Sequence, residues 1–208
     1  MAQNNSNNFY KTPFLFSFLL AIIAGIFILA TGKFESFQLI NSHHNSFFDF
    51  FFRYYTFLGD GLLWIPFFLF TLARKKEWVW VVLLSFLISS VLAQLLKRVV
   101  FPEELRPISF LTAQFQVHFV EGVTLHHRYS FPSGHTVSAF TIAILLSFQL
   151  RNKIGFYLLP LMAFFVGYSR VYLAQHFATD VLGGILIGIL AAVLSIFIIK
   201  KSRYSRDF

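Results

Sequence analysis

The sequence predicts an all-α fold, a polytopic membrane protein built as a six-transmembrane-helix bundle, and three observations carry that prediction. Of its 208 residues, 57% are hydrophobic and 12% charged, too apolar for an ordinary soluble domain. The apolar residues gather into six runs, several of them approaching the roughly 20 residues that cross a hydrocarbon core. The basic residues sit in short clusters between those runs, which is a topology signal; the formal charge of +8 therefore points to a membrane and not to nucleic acid. Cysteine is absent, so any metal site would have to be made of His and carboxylates. Residues 1–208 read as one membrane-embedded domain, and nothing in the pattern encodes an oligomeric state.

Residues 1–12 are polar and asparagine-rich, and the first run, 14–30, follows them. Its weakly basic flank and the lack of a clear small-residue cleavage site make it an uncleaved anchor. The second run, 47–72, is interrupted by Leu58-Gly59-Asp60-Gly61. Glycines around an aspartate mark a break or a cap, so Asp60 either caps the inner part of the span or pairs with a cation across the bundle. Phe47 to Phe52 at its start reads as an interfacial aromatic anchor. The third run is 78–96, and the longest connection, 101–131, leads to the fourth, 136–150. The fifth, 154–168, and the fourth are short against a core of roughly 30 Å at about 1.5 Å per residue, so both need flanking polar residues. The sixth, 181–199, carries Gly184 and Gly188 four apart, a small-residue face for close helix packing.

Six spans place both termini on one side. Lys11, then Arg74, Lys75 and Lys76, then Arg151 and Lys153, then Lys200, Lys201, Arg203 and Arg206 share that side, which the excess of Lys and Arg assigns to the cytoplasm of a plasma-membrane protein. The opposite face holds Lys33, Lys97, Arg98, Arg106, Arg128 and Arg170, with Arg53 near a boundary. Most of these lie close to a histidine or a proline, so the periplasmic or exterior face spends its cations on a ligand.

Three segments converge on that outer face. Lys97 to Pro107 leaves the third span, Phe131-Pro132-Ser133-Gly134-His135 opens the fourth, and Ser169 to Asp180 joins the fifth and sixth. Charge at the edge of hydrocarbon is costly, which makes such groups functional candidates. If the chain is helical from His176 onward, His176 and Asp180 stand at i and i+4 on one face, and the carboxylate can orient the ring as a nucleophile or base. The same stretch also suits a buried Arg170–Asp180 pair with His176 a bystander. A helix opening with Pro-Ser-Gly is a natural anion cradle, with Pro132 suited to the first turn and Gly134 letting the backbone approach.

These segments resemble the signature of the type-2 phosphatidic-acid phosphatases: Lys…Arg-Pro, Pro-Ser-Gly-His and Ser-Arg…His…Asp. Pro132 to His135 match without change, as does the spacing of Ser169-Arg170, His176 and Asp180. The first segment departs, with eight residues between Lys97 and Arg106 where the family has six; six would put the basic residue at Val99. Lys97, at the end of the third span, is the reading taken, with Arg98 its neighbouring alternative. The resemblance implies that His176 is the nucleophile forming a phosphohistidine, that Asp180 orients it and that His135 protonates the departing alkoxide. It further implies that Lys97, Arg106 and Arg170, with Ser133 and the N–H of Gly134, hold the phosphoryl oxygens without metal or other cofactor. The partner so implied is a lipid phosphate in the bilayer: undecaprenyl diphosphate, phosphatidylglycerophosphate, phosphatidic acid or a lipid A phosphate. A lipid phosphotransferase would use the same site, a vanadate-dependent haloperoxidase is a largely soluble branch, and a silent lipid binder or transporter would need the cations but no nucleophile. His118, Glu121, His126, His127 and Arg128 fit no strong metal spacing and read as a polar loop.

Overall fold

The computed structural model describes residues 11–110 and 115–204, which contain eight α-helices and no strand. They are α1 (Thr12–Thr31), α2 (Lys33–Asn41), α3 (Ser46–Tyr55), α4 (Trp64–Arg74), α5 (Val79–Leu95), α6 (Gly134–Leu150), α7 (Gly155–Tyr172) and α8 (Ala178–Tyr204). The polar stretch 1–10, Arg206 and residues 111–114 of the long connection lie outside the described residues. All six apolar runs are helical. By length and composition, Thr12–Thr31, Lys76–Val100 and Ala178–Ser202 suffice to cross a membrane, and Ser46–Gly59 with Gly61–Arg74 makes a fourth if the pair is one span bent by 52°. α6 is a shorter apolar helix.

α6 is the axis of the bundle. Val137, Phe140, Ile144 and Leu145 are fully enclosed, and even its polar Thr141, Ser147 and Gln149 are buried. Thr141 and Ser147 donate to carbonyls one turn back, and the Gln149 side-chain oxygen accepts from Thr71 of α4, while its Nε2 is buried without an acceptor. α7 and α8 pack on α6, and the glycines of α8 set how closely. A Cβ on Gly184 would lie 2.7 Å from Thr136 Cβ, and one on Gly188 would lie 2.8 Å from Phe140 Cβ. The Gly184/Gly188 face is thus a packing face, as its spacing suggests. On the outside, Leu15, Phe18, Ile22, Ile26 and Leu29 of α1, with Leu186, Leu190 and Phe197 of α8, present apolar side chains outward, the arrangement a bilayer requires.

The break in the second run is real. Single 3₁₀ turns, Thr56–Gly59 and Gly61–Leu63, flank Asp60, whose backbone is extended and whose Oδ1 accepts from Leu62 N at 2.8 Å. Three features differ from expectation. α2 fills what read as a loop; it is too short and too polar for a hydropathy signal, yet Phe37 is fully buried on it. α7 runs past 168 to Tyr172 and α8 starts at Ala178, so Arg170 and Asp180 are helical and the link is only 173–177. Pro132 precedes the first turn of α6, because Ser133 is the N-cap, its oxygen accepting from Thr136 N.

Overpacking against α6 gives a direct check. Gly188→Ala should destabilise the bundle by about 1–3 kcal/mol, seen as a lower thermal midpoint in detergent. Gly61→Ala should not lower it, since a Cβ there meets nothing within 4 Å.

Candidate active site

Asp180 sits in the first turn of α8, and one of its oxygens collects three donors. Oδ2 receives Phe177 N at 3.0 Å, the Ser130 hydroxyl, and His176 Nδ1 at 3.3 Å. The chain is not helical at His176; the ring still reaches Asp180 because the helix begins only two residues later and the residues between turn back on it. A carboxylate is acceptor-only, so Nδ1 carries the proton and Nε2 is left with its lone pair. Burial, then the positive charges of Arg106, Lys97 and Arg170, hold the His176 imidazole well below its ordinary pKa. Burial and the surrounding cations thus disfavour its charged form, and the Asp180 contact orients the ring.

Arg170 is not the partner of Asp180. In the last turn of α7 it donates Nη1 to Thr56 Oγ1 at 2.7 Å and Nη2 to Gln175 Oε1 at 3.0 Å. Its Nε is buried and has no acceptor. Leaving such a donor unanswered costs about 1–3 kcal/mol, more for a charged group. Arg106 is 8% exposed and is anchored by Nε to Arg128 O and Nη1 to Gln175 O, both at 3.0 Å. Gln175 therefore bridges both guanidinium groups and is itself held by Thr124 O.

Lys97 lies on a π-helical turn, Leu96–Val100, closed by Phe101 N to Leu96 O at 2.8 Å. Arg106, Arg170 and Asp180 are its electrostatic neighbours. The adjacent Arg98 turns away, donating to Gln94 and standing over the Tyr129 ring.

Ser133 caps α6, accepting also from Thr136 Oγ1 at 2.9 Å, and its backbone N–H donates to Asp180 O. A Cβ on Gly134 would meet nothing within 4 Å, so open space stands in front of that backbone. His135 follows, feeling Arg170, His176, Lys97 and Arg106, with Nε2 3.7 Å from Asp60 Oδ2. Three sequence segments and the break in the second run thus meet at one end of the bundle.

The PAP2 superfamily model matches residues 78–204, which hold every one of the motif residues. The chain belongs to the PAP2 superfamily. It is 31% identical to the undecaprenyl-diphosphatase BcrC of Bacillus subtilis, the match covering 78% of this chain and 81% of that one. A shorter match, 33% identical to the lipid A 4'-phosphatase of Porphyromonas gingivalis, covers 37% of this chain and only 34% of that protein. Among solved structures, Aquifex aeolicus LpxE superposes with a TM-score of 0.70 at 35% identity, over 79% of this chain and 94% of that one. The PAP2-type phosphatidylglycerolphosphate phosphatase of Bacillus subtilis gives 0.64 at 26%, over 92% and 96%.

Within this PAP2 site, sequence reasoning missed Gln175, Ser130 and Thr56, and it placed Lys33 on this face without a partner. Gln175 and Ser130 lie beside motif residues and carry the right chemistry, so proximity was the available signal; Thr56 has none. Lys33, on α2, pairs with Glu104 at 3.0 Å and stands 4.8 Å over the Phe177 ring. In the long connection before α6, His118 Nε2 meets Asp49 at 3.0 Å and stacks on His44, while the His127 carbonyl accepts the Ser109 hydroxyl. Among the described residues no three His, Asp or Glu side chains converge as metal ligands.

The divergent orientations of Lys97 and Arg98 predict unequal losses. Lys97→Ala should weaken binding of inorganic phosphate to the purified protein by roughly 10- to 100-fold, the range of a charged hydrogen bond. Arg98→Ala should change it less than about threefold. Equal losses would reassign the cation.

Proposed function

We propose that this PAP2 protein is an integral-membrane lipid phosphate phosphatase that hydrolyses a phosphomonoester or diphosphate of a lipid through a phosphohistidine. The observation that carries this reading is the His176 ring held by Asp180 among three cations, one of which keeps a buried N–H without an acceptor. His176 Nε2 attacks phosphorus while Nδ1–H stays against Asp180, which compensates the positive charge developing on the ring. The P–O bond to the lipid breaks, its electron pair leaves on oxygen, and His135 supplies the proton. Water then attacks the phosphohistidine and gives its proton to His135; the P–N bond breaks, its electron pair returns to Nε2, and inorganic phosphate departs.

Lys97, Arg106 and Arg170 hold the equatorial oxygens, with the Ser133 hydroxyl proton and the Gly134 N–H as further donors. Those three fixed cations carry the charge compensation, so neither a metal nor another cofactor enters the reaction as proposed. A tail stays in the bilayer while the headgroup reaches the cations. The names of the relatives support the same substrate class: a lipid-linked diphosphate, a lipid A phosphate or a glycerophospholipid phosphate.

The orientation proposed puts the site on the periplasmic or exterior face and both termini in the cytoplasm. Arg151 and Lys200 line one cavity with Phe14, Trp78 and Phe148, so basic clusters from separate loops gather at one end, and Lys97, His135 and His176 belong to other helix ends. Ser109→Cys should therefore react with an impermeant thiol reagent on intact cells and Ser202→Cys should not. The opposite labelling would invert the topology.

The two histidines should differ in their response to the leaving group. His176→Ala should abolish turnover on every substrate, because it removes the bond-forming atom. His135→Ala should lose roughly 10²- to 10⁴-fold on a lipid monophosphate, whose alkoxide needs a proton. On p-nitrophenyl phosphate, whose phenolate leaves unaided, it should keep much of the wild-type rate. Equal impairment on both, with phosphate binding intact, would remove His135 from the acid role.

A further inference from the structure

Asp60 lies outside the three motif segments, yet it faces the site. Its Oδ2 stands 3.7 Å from His135 Nε2, both side chains about a third open, at 33% and 28% exposure. Among the described residues it is the carboxylate within 4 Å of that ring. The approach is built into the backbone: a Cβ on Gly59 would lie 2.6 Å from His135 O and 2.6 Å from Val166 Cγ1, so only glycine lets the break in the second run press against the first turn of α6. The other oxygen, Oδ1, is fixed by capping Leu62 N at 2.8 Å, which aims Oδ2 at the imidazole.

The charges facing His135 explain what such a carboxylate does. Burial first, then Arg170 from α7, His176 from the link, Lys97 from the end of α5 and Arg106 from the long connection disfavour its charged form, and Asp60 also faces Arg170. A general acid must hold a proton before the leaving oxygen develops charge, and a ring surrounded by cations holds one poorly without a counter-charge. We propose that Asp60 is a positioning residue that keeps His135 oriented and proton-loaded, forming with it a second histidine–carboxylate pair opposite His176–Asp180. The 3.7 Å separation is an ion-pair distance and longer than a hydrogen bond. The proton on Nε2 is thus stabilised by the carboxylate and remains transferable to the departing oxygen: N–H breaks, O–H forms, and the P–O electron pair goes to the lipid alkoxide.

This inference rests on the phosphatase reading, and the test separates the two. Asp60→Asn keeps an amide oxygen able to cap Leu62 and removes only the charge. With purified full-length protein in detergent, Asp60→Asn should lose roughly 10- to 100-fold on a short-chain phosphatidic acid, part of what general acid catalysis supplies. On p-nitrophenyl phosphate it should stay within about threefold of wild type, and the alkaline limb of kcat/KM on the alkyl ester should move to lower pH by about one unit. Asp60→Ala adds loss of the cap and should also lower the thermal midpoint. If Asp60→Asn matched wild type on both substrates and across pH while Asp60→Ala was impaired, Asp60 would be a cap alone and the inference would fall. Equal loss on both substrates with an unmoved limb would also overturn it, leaving a counter-ion for Arg170. If His176→Ala kept wild-type turnover, or wild type released no phosphate from either compound, the phosphatase reading would fail and take this inference with it.

Discussion

One carboxylate oxygen holds the site together. Asp180 Oδ2 joins the Ser130 hydroxyl, the Phe177 amide and the His176 ring, and the Asp180 backbone carbonyl accepts Ser133 N–H. The loop before α6, the link after α7 and the start of α8 are therefore tied at a single residue that is 1% exposed. Removing one partner of such a buried charge costs about 3–5 kcal/mol where it leaves the other uncompensated. The donors around Asp180 are backbone and hydroxyl groups as well as the imidazole, so the carboxylate stays paired while the ring is free to take up charge.

The cations are positioned by a second network that uses little charge. Gln175 receives from both Arg106 and Arg170 and is itself pinned to Thr124 O. Neutral acceptors supply the direct hydrogen bonds of two guanidinium groups buried near each other, and the carboxylates Asp180 and Asp60 act on them only electrostatically. Phe34, Phe110 and Phe37 pack edge-on against Phe177, next to His176, and Phe37 also stacks on Phe115. Part of the phenylalanine excess thus walls the site, while Phe47 and Phe50 remain outward, consistent with an interfacial anchor.

Legibility in the sequence followed length scale. Apolar runs long enough to be helices showed up as helices because burial in lipid or in the bundle demands the same composition. The Pro132-to-His135 and Ser169-to-Asp180 segments were readable because their spacing is local and fixed by helix starts and ends. What was not readable depends on tertiary contacts: α2 has nine residues and too little hydropathy to register, and its place is set by Phe34 and Phe37 meeting Phe177. The π turn is similar, since no residue in Leu96 to Val100 demands it, and Arg106 beyond it is fixed through His127 O and Gln175 O. Arg170 looked able to pair with Asp180 from spacing alone, and only the reach of Thr56 and Gln175 decides against it.

The broken second run shows how a segment without any motif residue serves the site. Interrupting a helix within hydrocarbon exposes backbone groups, each costing several kcal/mol if unsatisfied, so such breaks survive only where protein or a wet cavity answers them. Here the turn answers its own: Asp60 N donates to Phe57 O, Leu63 N to Asp60 O, and Leu62 N to the Asp60 side chain. That self-satisfaction frees the segment to face inward. Thr56, one turn earlier, takes the Arg170 Nη1 donor, and Gly59 seats the chain on the His135 carbonyl. The 52° bend therefore delivers an uncharged acceptor to a cation and a carboxylate to a histidine within five residues, contacts that a straight helix, with its side chains spread around the axis, would have to divide between faces.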